Sequence, residues 1–202
     1  MTNTLSGVRK FAITLLLSLG LSQVSAAVVL NVQGGVLMGA TGVSVMGNDY
    51  DVSFTDGSCS SLFSNCTSFA LTSQTMADAA AQALLDQVFI DSVLGQFDSV
   101  TSLIAGCTAT NVCEVLSAFT SNSSNFVGSR AKNLSGTGTD SITGFLQGKN
   151  YDTGLFVYQT FAVWTPSASV PEPGTLALAG IAVLLLARSR RKGCQLGTSG
   201  AR

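Results

Sequence analysis

Histidine is absent from all 202 residues. Its absence excludes Ser-His-Asp triads, imidazole metal ligands and the side chain best suited to proton transfer near neutral pH. Proline is nearly absent: the three in the chain, Pro166, Pro171 and Pro173, crowd into one short stretch. Charged residues make up only 10% of the chain, and cations are scarcest where most of it lies. Only Arg130, Lys132 and Lys149 fall within residues 27–169, against ten acids there. That region therefore carries a net charge of −7. It repels phosphate backbones, so nucleic acid is not an expected partner.

The recurring catalytic and cofactor motifs are missing as well. G-x-S-x-G does not occur, and neither Gly34-Gly35 nor Gly136-x-Gly138 opens a helix in a βαβ unit. Asp49, Asp51 and Asp56 form the densest carboxylate cluster, but Ser53 and Phe54 occupy positions where a calcium loop needs an acid or amide and a glycine. Ser129 and Lys132 lie three apart, with no predicted helix to place the amine behind the hydroxyl. Tyr158 and Trp164 could stack on sugar rings, although strand aromatics usually belong to a core. No catalytic residue, cofactor or metal ligand is assigned, and the chain is expected not to be an enzyme.

What is present is concentrated at the two ends. Arg9 and Lys10 precede an apolar run at 11–21 (FAITLLLSLGL), followed by small residues up to Ala26. This is the pattern of a secretory signal peptide over residues 1–26, cleaved after Ala26 by signal peptidase following passage through the Sec translocon. Its apolar run would span roughly 17 Å, short of a hydrocarbon layer of roughly 30 Å. At the other end, Pro171-Glu172-Pro173 leads into an apolar stretch (LALAGIAVLLLA) ending at Ala187, then Arg188, Arg190, Arg191 and Lys192. Two prolines keep the tripeptide extended. Residues 174–187 predict a short transmembrane helix, and the basic cluster a cytoplasmic stop.

This C-terminal combination resembles the PEP-CTERM sorting signal of Gram-negative bacteria, a segment also called the ice-binding protein C-terminal domain. The resemblance implies an exosortase as partner, a membrane protease-transpeptidase that recognises Pro171, Glu172 and Pro173 with the helix and releases or re-anchors the protein during export. It also implies transient anchoring in the inner membrane, then residence at the cell envelope surface or in the extracellular matrix. The expected organisation is signal peptide 1–26, exported domain 27–165, sorting signal 166–192 and a tail 193–202, for which the resemblance offers no role.

Ser and Thr supply 35 of residues 27–169, giving a hydrated, uncharged surface suited to an extracellular setting. Cys59, Cys66, Cys107 and Cys113 imply two disulfides after export, with three possible connectivities. Local pairing closes the smallest loops; the alternative bridges the two pairs across the fold. The spacings do not match a C-x₂-C metal site. Cys194, beyond the basic cluster, is expected to stay free.

The fold class expected from this stretch is α+β: antiparallel strands plus one main Ala-rich helix. Strands are expected over 27–32, 42–46 and 50–55, with a turn at 47–49, where Tyr50, Val52 and Phe54 alternate with polar residues. A helix is expected over 76–90, started by Thr75 and Asp78. Residues 98–119 suggest a short helix near the second cysteine pair, residues 136–144 a loop, and residues 155–164 a central strand. Asp56-Gly57 with Cys59, the Ala-rich helix and the strand ending at Trp164 loosely resemble an ectodomain recurrent among PEP-CTERM proteins. The functional expectation is a non-enzymatic surface or matrix protein in biofilm or exopolysaccharide architecture, with exopolysaccharide as an expected partner. The alternative is a carbohydrate-, calcium- or ice-binding module.

Overall fold

The computed structural model describes residues 27–136 and 138–168. Three strands open the fold: β1 (Val29–Gln33), β2 (Val36–Val45) and β3 (Asn48–Thr55). They form two successive hairpins. Gly34 and Gly35, then Met46 and Gly47, take positive φ between strand pairs Gln33↔Val36 and Val45↔Asn48. Two adjacent left-handed residues give the tight turn whose twist matches its flanking strands, and glycine adopts that backbone without steric cost. The second turn thus sits at Met46-Gly47, one residue before the expected stretch.

Two helices follow. A short α1 (Cys59–Leu62) is capped by Ser58, whose hydroxyl accepts from the Ser61 N–H. The main helix α2 (Gln74–Ala83) begins at Ser73, not Thr75; the Ser73 side chain accepts from the Met76 N–H. It runs on into one π-helical turn, Leu84–Val88. After a two-residue hairpin, β4 (Asp91–Ser92) and β5 (Gly95–Gln96), come three long strands: β6 (Val112–Ser121), β7 (Asn125–Leu134) and β8 (Ser141–Gly148). The last strand, β9 (Gln159–Pro166), returns to the middle. The sheet order is β1-β2-β3-β9-β6-β7-β8. Every pairing is antiparallel except β6 with β9.

The expected α+β class is therefore corrected. Strands take 47% of the described residues and helices 18%, giving a mostly β fold, one seven-stranded sheet with one main helix. The reason lies in β6, where a short helix was expected around the cysteines. Cys113, Val115 and Ser117 are buried on one face, Leu116 and Ala118 on the other. With both faces covered, the apolar-polar alternation that marks a half-buried strand disappears.

Two cores result. On one face, Ala77, Ala80 and Ala81 of α2 bring the helix close to the sheet, and Leu84, Val88, Phe89 and Phe97 extend the layer over Val43, Val52, Phe54, Val115 and Trp164. Gln87 also completes β2. β1 pairs with β2 only as far as Thr41; beyond it, the Gln87 amide donates to the Ser44 carbonyl at 2.9 Å and accepts the Ser44 N–H at 3.0 Å. On the other face, Leu116, Ala118, Phe126, Phe145 and Phe161 pack under the 59–66 loop and Phe63. β9 lies between the cores, with Phe161 facing one and Ala162 and Trp164 the other.

Candidate functional site

Of the residues singled out in the sequence, Ala26, Pro171, Glu172, Pro173, Arg188, Arg190, Arg191 and Lys192 lie outside the described residues, as does the apolar stretch 174–187. The four cysteines of the exported domain are described. They form Cys59–Cys66 and Cys107–Cys113, with Cα separations of 5.3 and 5.7 Å.

The candidates for chemistry disperse into structural roles. Asp51 Oδ1 accepts from the Gly42 N–H at 3.1 Å and the Ser167 hydroxyl at 2.6 Å, tying β2 and the end of β9 to β3. Asp56 instead accepts from the Thr153 hydroxyl at 3.3 Å. Its Oδ1 is tucked beside Gly106 and Thr160. Desolvation raises its pKa; the neighbouring Thr160 and Thr153 hydroxyls oppose the rise, and the Asp152 charge adds to it. Among the described residues, no three side chains of the metal-ligating types converge. The Ser129 hydroxyl is held by Asp78 and by the Gln74 amide on α2. Lys132, three residues along β7, belongs to the opposite face of the sheet. Trp164 is only 5% exposed. An open groove near Cys66, where Thr67, Phe69, Thr120 and Ser121 meet, is lined by no titratable side chain.

A different cluster is assembled by the fold. Residues 149–158 link β8 to β9 and carry Tyr151, Phe156 and Tyr158, all half-buried. Tyr151 stacks on Phe156 with ring centroids 5.0 Å apart and planes 13° apart. Tyr158 meets Phe156 edge-on at 6.0 Å. Beside the rings runs a polar chain. The Tyr151 hydroxyl donates to Gln159 Oε1. Gln159 Nε2 donates to Glu114 Oε2 at 2.8 Å, and the Arg130 guanidinium pairs with the same oxygen at 2.8 Å. Burial, chiefly, raises the Tyr151 pKa, so the phenol stays protonated and remains a donor.

Both disulfide loops hold this segment. On the Cys59–Cys66 side, Lys149 O accepts from the Ser60 N–H, Thr153 N–H donates to Gly57 O, and Ser58 bridges to Asp152. On the Cys107–Cys113 side, the Thr108 and Ala109 N–H groups both donate to Val157 O, at 2.7 and 2.9 Å. The aromatic segment is thus clamped between two covalently closed loops. The sequence signal is faint: Phe156, Tyr158 and Gln159 fall in the strand expected over 155–164 and Tyr151 just before it, but no local pattern ties them to Glu114 and Arg130.

Residues 169–192 match the family model of the PEP-CTERM protein-sorting motif. No curated protein and no solved structure matches the chain. The match coincides with the tripeptide, the apolar stretch and the basic cluster, so the chain carries a PEP-CTERM sorting motif, which implies an exported exosortase substrate anchored through its C-terminal segment before cleavage.

Proposed function

We propose that the exported domain serves as a non-enzymatic component of the cell surface or extracellular matrix once the exosortase has processed the chain. The observation that carries this reading is the use of three candidate reactive groups, Ser129, Asp51 and Asp56, in holding the fold together. Ser129 is committed to Asp78 and Gln74, Asp51 to backbone and Ser167, and Asp56 to Thr153. With no histidine in the chain, a hydrolase would need a carboxylate or amine base beside a nucleophile; the Ser129 hydroxyl does meet the Asp78 carboxylate, but it is fully buried against α2, where a substrate has no access. The net −7 charge and the hydroxyl-rich surface suit a hydrated polysaccharide environment.

The test has two parts. The mature protein, isolated from a host that has the exosortase, should be recovered in the envelope surface or matrix fraction. It should turn over none of a panel of chromogenic glycosides, esters and peptides. Turnover abolished by Asp49→Asn, Asp51→Asn or Ser129→Ala would overturn the reading. The carbohydrate-binding alternative is favoured by one specific feature, the aromatic segment between the disulfides.

A further inference from the structure

We infer that Tyr151, Phe156 and Tyr158, together with the Glu114–Arg130–Gln159 chain, form a binding site for neutral pyranose polysaccharide. The inference rests on the reading of this domain as an envelope or matrix protein and gives that reading a ligand class.

Three features point there. The first is the aromatic content. Three contiguous rings remain partly exposed, flanked by Leu155 at 79% and Val157 at 60% exposure. Such grouped exposure marks an interaction surface more than scattered apolar residues do. An aromatic face is electron-rich, and the axial C–H groups of a pyranose are weakly positive, so a sugar ring can lie flat on it. The second is the adjoining polar chain. Glu114 Oε2 already accepts two hydrogen bonds, but a carboxylate has two oxygens and the guanidinium keeps further N–H donors, while buried Gln159 fixes Glu114 and Tyr151 from behind. Planar acid and guanidinium groups side by side, both partly exposed, match vicinal hydroxyls, which donate and accept at once. The third is charge. Arg130 is paired with Glu114, in a domain whose net charge is −7. A polyanionic glycan would be repelled, while an uncharged one pays no such penalty.

Rigidity strengthens the case. The hydrogen bonds from both disulfide loops fix residues 149–158 before any ligand arrives, which lowers the ordering cost of binding.

The experiment titrates the mature protein with a dextran, a mixed-linkage β-glucan and a galactomannan, and with alginate as the anionic contrast, using calorimetry. At least one neutral glycan should bind with a saturable isotherm, and alginate should not. Phe156→Ala and Tyr158→Ala should each weaken binding about three- to tenfold, the scale of one aromatic contact. Tyr158→Leu, which keeps apolar bulk without the ring, should weaken it similarly, with near-ultraviolet dichroism checking that the fold survives. Val93→Ser removes an equally apolar, fully exposed side chain from the β4–β5 hairpin and should change nothing. The inference is overturned if no neutral glycan binds, if alginate alone binds, or if a folded Tyr158→Leu binds like the parent. Absence of binding would leave the non-enzymatic reading standing; cleavage of a bound glycan would overturn that reading and leave the site.

Discussion

The indole N–H of Trp164 donates to the hydroxyl of Ser117, 3.0 Å away, with both side chains buried in the middle of the sheet. The bond links β9 to β6, the one parallel pair of strands among the described residues. It also takes the single tryptophan out of contention as a ligand platform. Tyr50 packs its ring edge-on against the same indole at 6.3 Å. Ser117→Ala should strand a buried donor and lower stability by about 1–3 kcal/mol. Denaturant unfolding measures this; a change near zero would mean that the indole finds another acceptor.

Reduction should weaken the domain in two separable steps. Each disulfide closes a short loop, and losing one should cost about 2–3 kcal/mol. Cys107→Ser with Cys113→Ser should in addition loosen the grip of Thr108 and Ala109 on Val157. Hydrogen exchange at those two amides should then rise more than at the Gly57–Thr153 contact. In the parent, non-reducing mass spectrometry should find no free thiol at Cys59, Cys66, Cys107 or Cys113.

Asp56 should make stability fall as pH rises. Its folded pKa lies above the unfolded value, so the folded state holds the proton more tightly. The associated stabilisation is fully present below about pH 4 and is lost as pH climbs through the raised folded value. Asp56→Asn keeps the acceptor for Thr153 and removes the charge. Its unfolding midpoint should exceed the parent's near neutral pH, and the gap should close in acid. An equal gap at every pH would assign the effect to packing.

Sorting should depend on the tripeptide. Replacing Pro171, Glu172 and Pro173 with alanine should leave export intact, because the N-terminal signal directs it, and should leave full-length protein in the membrane fraction. Neutralising Arg188, Arg190, Arg191 and Lys192 should instead release an unprocessed form, since nothing would hold the inner end of the apolar segment. Mass and fractionation in an exosortase-bearing host distinguish these outcomes. Normal maturation of the triple-alanine variant would refute recognition through the tripeptide.

Much of this protein could be read along the chain because the signals are local. A basic cluster after an apolar run, or two prolines around Glu172, means the same thing whatever the rest of the chain does. The hairpin around Gly47 was legible for the same reason: a tight turn is specified by its own few residues, here Met46 and Gly47. A central strand was legible in residues 155–164 only in part: it runs Gln159–Pro166, while Leu155 belongs to a 3-10 turn and Phe156, Val157 and Tyr158 to the connection before the strand, because an aromatic and β-branched stretch marks a strand without fixing where it starts.

Only the tertiary structure decided the rest. β6 and β7 hold Ala, Ser, Gly and Asn on buried faces, and such residues carry little strand preference until neighbouring strands and α2 enclose them. The burial of Trp164 depended on Ser117, 47 residues earlier in the chain. The candidate site depended on the fold still more. Glu114 meets Arg130 across the β6–β7 ladder and Gln159 across the parallel β6–β9 pair, 16 and 45 residues apart in sequence. No local pattern encodes those meetings; they arise because β9 inserts beside β6, bringing Tyr158 and Gln159 alongside Glu114.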